Sequence, residues 1–265
     1  MQLENNLRGQ LVFLGTGTSV GVPTLGCECA VCTSHDHRNN RTRCAIVMGL
    51  PEGNLLIDTP PDLRTQLLRE RIPLVHAVAF THGHADHLFG LDDVRLFPFR
   101  LGHAMPLFCE EEVEAQIRRA YDYAFSELPE THPGSAPQLE FRRIGLTPFS
   151  VLGETVRPIR LLHGPRFQVL GFRIGRVAYC TDVKTIPEIS WPLLENLDIL
   201  VLDTLRIREH PTHMNLTESL AVVARIKPRL TLLTHLSHDL DHATTESTLP
   251  TYVRLAYDGL RVTLS

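Results

Sequence analysis

Short apolar runs bounded by turn residues dominate the chain, with a few stretches at helical spacing between them. Leu11 to Leu14 runs into Gly15-Thr16-Gly17-Thr18-Ser19-Val20-Gly21-Val22-Pro23, which predicts a strand followed by a glycine-rich turn. Those glycines either admit backbone amides to a ligand or simply make a tight connection. Ala45 to Met48 and Leu55 to Ile57 flank Pro51-Glu52-Gly53-Asn54 as a hairpin, and Asp58 closes its second strand. In Asp62 to Arg71 the apolar Leu63, Leu67 and Leu68 stand at helical spacing behind Pro60 and Pro61, which suit a helix start. Val75 to Phe80, broken by His76, predicts a short buried strand. Glu110 to Phe125 predicts a second helix, acidic in its first turn, with Val113, Ile117, Ala120, Tyr121 and Ala124 on one side.

The second half repeats this strand-rich style. Val156 to Leu162, Gly171 to Ile174, Val177 to Cys180, Ile199 to Leu202 and Leu230 to Leu233 are strand candidates. Asn215-Leu216-Thr217-Glu218 has the form of a capping box that opens a helix to about Ile226, stopped before Pro228. Glu127 to Gln138, with three prolines, Gly134 and Ser135, reads as a surface loop or insertion. A chain of 265 residues, 43% hydrophobic, can bury a full core, and we expect one domain over 1–265.

Charge narrows the partners. The formal balance is −4 with no long run of either sign, so a small substrate fits better than nucleic acid, although a local patch would still allow it. No apolar stretch approaches the roughly 18 residues a membrane span needs, and the polar start Met1-Gln2-Leu3-Glu4-Asn5-Asn6 is unlike a secretory signal. The expectation is a cytoplasmic protein without membrane contact; a homodimer stays open. Of six cysteines, Cys27, Cys29 and Cys32 crowd together, which suits a metal clip better than disulfides, while Cys44, Cys109 and Cys180 lie in or near apolar strands and are expected in the core.

The chemistry concentrates in Thr81-His82-Gly83-His84-Ala85-Asp86-His87, three imidazoles and a carboxylate just past a predicted strand. Divalent ions such as zinc accept these ligands, and open α/β sheets place sites at strand carboxyl ends. Three further candidates follow apolar runs closely: His163, Asp182 and His235.

With these seven positions, the chain resembles the metallo-β-lactamase fold superfamily, whose pattern is a His-x-His-x-Asp-His box followed by a His, an Asp and a His at strand ends. The resemblance implies a four-layer αββα sandwich of the α/β class. It also implies that His82, His84 and His163 hold one divalent ion, zinc or manganese, that Asp86, His87 and His235 hold the other, and that Asp182 bridges them. A shared water activated by both ions would make the protein a metal-dependent hydrolase.

The loop around 26–32 offers three thiolates, and His238, three residues beyond His235, would complete the closed tetrahedral shell typical of one structural zinc. The cysteine loop, Leu14-Gly15-Thr16-Gly17 and the terminal histidine pair together resemble the phosphoribosyl cyclic phosphodiesterases of the C-P lyase pathway. That resemblance implies a small or cyclic phosphodiester substrate, and a histidine before the late helix that protonates the leaving oxygen. His213 matches best, with His210 its competitor; Asp86 is counted with His213 among the catalytic residues. Asp58 and Asp203 are expected to orient ligand histidines, and Arg41, Arg43 and Arg166 are candidate phosphate contacts or, equally, surface charges. The rivals are a tRNA 3′-processing endonuclease, which shares the box but usually carries a basic arm, and a non-catalytic scaffold stabilised by zinc.

Overall fold

A computed structural model describes residues 7–125, 132 and 134–264. One sheet is built from β1 (Gln10–Gly15), β2 (Ala45–Leu50), β3 (Gly53–Ile57), β4 (Ala77–Ala79), β5 (Met105–Cys109), β6 (Leu139–Arg143) and β14 (Arg261–Thr263), in the order β14-β1-β2-β3-β4-β5-β6. The other contains β7 (Phe149–Val151), β8 (Glu154–His163), β9 (Phe167–Ile174), β10 (Val177–Cys180), β11 (Ile199–Asp203), β12 (Leu230–Thr234) and β13 (Val253–Leu255), in the order β13-β12-β11-β10-β9-β8-β7. The α-helices among the described residues are α1 (Leu63–Arg69), α2 (Ala85–Leu88), α3 (Phe97–Leu101), α4 (Glu111–Ala120), α5 (Leu216–Ile226) and α6 (His242–Glu246).

The alternation of side chains along each strand decides the layers. Leu11, Phe13, Ile46, Met48 and Ile57 of the first sheet meet Leu170, Phe172, Tyr179, Val201 and Leu232 of the second. The intervening Val12, Leu14, Val47 and Leu56 turn outward beneath Leu63 and Leu67 of α1 and Val113 and Ile117 of α4. Outward-facing Ile159, Leu161, Ala178 and Leu200 of the second sheet pack under Leu216, Leu220 and Val223 of α5. The result is the αββα sandwich. Strands buried on both faces read as unbroken apolar runs, which is why these segments were legible without a structure.

The differences from the expected elements have local causes. The first helix spans 63–69 instead of 62–71: Asp62, at its start, turns its carboxylate to Arg43, accepting from its backbone N at 3.0 Å and its Nη1 at 3.1 Å, and past its end Arg71 adopts a left-handed φ of 54°. The helix from Glu110 stops at Ala120, where Tyr121 turns its ring inward and donates to Leu88 O, and a single 3-10 turn (Asp122–Phe125) follows. The capping box stands as expected: Asn215 Oδ1 accepts from Glu218 N, and Glu218 Oε2 accepts from Asn215 N, both at 2.9 Å. Half of the predicted 127–138 loop, residues 127–131 and 133, lies outside the described residues. Strands β3 and β4 are parallel, as are β10, β11 and β12, so their carboxyl ends emerge at one rim. Among the described residues no helix is long and apolar enough to cross a membrane.

Candidate metal centre

Backbone geometry at that rim aims the polar residues inward. Asp58, Asp182 and His235 each follow a strand end and adopt left-handed φ values of 66°, 54° and 59°. A non-glycine residue there is strained, and such strain concentrates at functional sites. The histidine box leaves β4, and His84 is the residue before α2, so Asp86 and His87 fall on that helix's first turn.

The structure gathers the seven candidates into two adjoining groups. Ligand atoms of His82, His84 and His163 lie within 4.8 Å of one another, and so do those of Asp86, His87, Asp182 and His235. Asp182 lies between the groups, with Oδ1 3.2 Å from His87 Nε2 and Oδ2 3.6 Å from His235 Nε2 and 3.9 Å from His163 Nε2. The opposite ring nitrogens are held from outside. His87 Nδ1 donates to Asp58 Oδ2 at 2.8 Å, His163 Nδ1 to the Thr212 carbonyl at 2.9 Å, and Thr81 Oγ1 donates to Asp58 Oδ2 at 2.8 Å while standing 3.0 Å from His82 Nδ1. That fixes the rings with Nε2 facing the shared centre.

Electrostatics makes the site ready for cations. Burial drives the His82 imidazole well below its ordinary pKa and lowers His84 and His163, leaving neutral rings with free lone pairs. Burial also opposes charge on His87 and His235, but around them the carboxylates prevail. Asp182, Asp58 and Asp86 hold His87 well above its usual value, and Asp182, Asp86 and Asp203 hold His235 up at about 9. The carboxylates around His87 and His235 thus call for positive charge. Nε2 of His82, His87 and His235 is buried and makes no hydrogen bond, a rare condition that divalent ions would relieve.

His213 borders both groups, its ring centroid 4.5 Å from His163 and 4.6 Å from His235. Its Nδ1 donates to Asp203 Oδ2 at 2.8 Å. Asp203 therefore orients His213, while its other oxygen stands 3.7 Å from His235 Nδ1; Asp58 serves His87. His210 has no such carboxylate bond and accepts instead from Thr212 N and lies 3.1 Å from the Thr212 hydroxyl.

A second cluster stands a few residues away. Cys27, Cys32 and Cys29 Sγ lie 3.2, 3.4 and 3.6 Å from His238 Nδ1, a four-ligand set of the composition structural zinc takes. The Cys32 backbone N–H, donating to Cys29 Sγ at 3.4 Å, holds that exposed thiol down at about 6, and burial pushes Cys32 up to about 11. Cys44, Cys109 and Cys180 are buried, as expected of core residues.

Two of the arginine candidates are structural. Arg41, 1% exposed, donates to Ser237 O and Leu240 O at 2.7 Å and to Asn39 Oδ1 at 3.0 Å, clamping the turn that carries both His235 and His238. Arg43 is committed to Asp62 and to Ser19 O. Arg166 lies exposed on the β8–β9 turn, lining a cleft with Glu110, Glu111 and Glu112. The glycine-rich turn also serves packing, since a Cβ at Gly17 would stand 2.6 Å from Arg41 O. Replacing Arg41 by Met strands several buried carbonyls, and a stability loss of about 3 kcal/mol is expected, lowering Tm by on the order of 10 °C in calorimetry. An unchanged Tm would remove the clamp.

Sequence reasoning missed Thr81 and Thr212, which orient rings, and Arg206 and Arg208, which line a cleft with His210 and His213. Position relative to the late capped helix was the only signal for the last two.

The geometry agrees with the comparisons. Residues 53–236 match the family model described as a β-lactamase superfamily domain, and the chain belongs to that family. Among solved structures, a new diphosphatase from the PhnP family is similar at 41% identity over 96% of each chain, with a TM-score of 0.89. Zn2+-bound PqqB from Methylobacterium extorquens (21% identity, 96% of this chain and 100% of that one, TM-score 0.77) and the short form of human tRNase Z (19%, 97% and 99%, TM-score 0.68) share the fold. Of curated proteins, an octanoyltransferase of Porphyromonas gingivalis is 36% identical over 94% of this chain and 50% of its own length. Coenzyme PQQ synthesis protein B of Methylorubrum extorquens is 30% identical over 44% of this chain and 43% of its own. The chain thus spans about half the length of the curated relatives it matches.

Proposed function

We propose that the protein is a metal-dependent hydrolase of small or cyclic phosphodiesters, a class that extends to diphosphate esters. The observation that carries this is the convergence of seven histidine and aspartate side chains beside a histidine held by its own carboxylate. The 41% identity to a PhnP-family diphosphatase supports the phosphoester class. His82, His84 and His163 would hold one ion, Asp86, His87 and His235 the other, and Asp182 would serve both; Cys27, Cys29, Cys32 and His238 would hold a structural zinc. Bound there, two divalent ions, zinc or manganese, acidify a water and neutralise charge on the attacked phosphate.

The chain's own residues do the rest. Asp58 and the Thr212 carbonyl keep His87 and His163 in the tautomer that presents Nε2 inward. Asp203 takes the Nδ1 proton of His213 in a hydrogen bond, so Nε2 is the atom that delivers a proton to the departing oxygen as water attacks phosphorus and the ester P–O bond breaks. Asp203 also steadies the charge on the ring before that proton leaves.

The octanoyl transfer named for the Porphyromonas relative is not assigned to this chain, which spans half of that protein. Likeness to human tRNase Z at 19% identity carries the fold, and tRNA processing is the rival that the assay must exclude. Metal-replete protein should be incubated with a ribose cyclic phosphate, a diphosphate ester and a precursor tRNA. Turnover of the small esters is expected; specific 3′ cleavage of the tRNA with no turnover of small esters would reverse the assignment. Three metals per chain would accompany the first result, whereas metal confined to the cysteine group would favour a scaffold.

A further inference from the structure

Strands β8 and β9 form an antiparallel hairpin in which His163 is paired directly with Phe167 across the turn Gly164-Pro165-Arg166. Residues opposite one another in such a ladder project from the same face. His163 faces the centre, so Phe167 does too. Its ring meets His84 edge-on with centroids 4.9 Å apart and lies 6.2 Å from His163, yet it remains 48% exposed. The turn beneath it is fixed: Gly164, at φ +70°, leaves only 2.6 Å between a Cβ and Thr212 Cγ2, and the Thr212 carbonyl holds His163. A large apolar ring held in place at the mouth of a polar centre is a ligand contact in search of its ligand.

The other flank is of a different kind. There His213 and His235 border a cleft lined by Thr18, Ser19, Arg206 and Arg208, whose only rings are imidazoles. The site is therefore uneven, with an aromatic surface beside His84 and walls beside His213 that carry arginine, aspartate and hydroxyl side chains.

We infer that Phe167 is a stacking platform and that the substrates preferred here carry a planar heterocyclic or aryl group, as a nucleotide does, on the side where Phe167 meets His84. The inference rests on the phosphodiesterase reading above. A ring of this kind loses little freedom on stacking and gains the same contact with any base, so the platform selects for a flat group without reading its identity.

The test compares adenosine 2′,3′-cyclic phosphate with the matched methyl riboside 2′,3′-cyclic phosphate, which lacks the base. The parent protein should show the lower KM for the adenosine ester. Phe167→Ala should raise the KM for the adenosine ester about tenfold relative to the KM for the methyl riboside, so that the preference disappears, while Phe167→Trp restores it. Calorimetric binding of the corresponding monophosphate products should show the same tenfold step. If both esters are hydrolysed and Phe167→Ala alters both equally, or alters kcat alone, the platform is refuted while the phosphodiesterase reading stands. If neither ester is turned over by parent protein with its metals bound, the phosphodiesterase reading fails and the inference falls with it.

Discussion

An Asp182→Asn protein is expected to retain the metal of its cysteine cluster and to lose at least one of the two ions assigned to the histidine groups. The change keeps the shape of a side chain that is nearly fully buried and removes the charge facing His87, His163 and His235 at once. Among the described residues no other carboxylate stands within ion-pair distance of all three rings. The rate on a small phosphodiester should fall by at least about a thousandfold, well beyond the roughly 10- to 100-fold that loss of an outer hydrogen-bond partner costs. Asp58→Asn supplies that comparison, because Asp58 touches His87 only through Nδ1. Metal analysis and kinetics on the two variants check the ranking. Retention of both ions and a near-parental rate by the Asp182→Asn protein would show that Asp182 does not serve the pair.

His213→Ala should act on the rate and not on metal content. Its ligand atoms come within 4.8 Å of those of His163 and Asp182, and its ring touches His163 and His235, but its Nδ1 is already committed to Asp203. For an ester with an alkoxide leaving group, kcat should drop about 100- to 1,000-fold, the range of positioned general-acid catalysis. For a leaving group stable as an anion, such as a nitrophenolate or a phosphate, the same substitution should cost far less, since no proton is needed. This leaving-group dependence separates proton donation from a packing role, which would slow both esters alike. His210→Ala should leave both rates near parental. Equal losses for the two esters in His213→Ala would reassign the residue to support.

What the sequence disclosed follows from which interactions are local. The central strands could be read because burial on two faces makes them continuously apolar, as in Val177 to Cys180. Strands of three residues at the edges, such as Phe149–Val151 and Arg261–Thr263, carry too few positions to show any period. The histidine box was conspicuous by density, and His163, Asp182 and His235 by their place just past apolar runs. Arg41 was misread because the carbonyls of Ser237 and Leu240 that it clamps lie 196 and 199 residues away, and nothing in the local sequence shows that they bury it. Thr212 acts through a backbone carbonyl that any residue would supply. Phe167 declares itself only once the register of the hairpin pairs it with His163.

The most direct measurement is anomalous diffraction at the metal absorption edge from crystals grown with ample zinc or manganese. Expected are two peaks about 3.5 to 4 Å apart, one among His82, His84 and His163 and one among Asp86, His87 and His235, with Asp182 touching both. A third peak should sit among Cys27, Cys29, Cys32 and His238. Density at the cysteines alone, with the histidine groups devoid of metal, would contradict the two-ion centre on which the proposed hydrolysis depends.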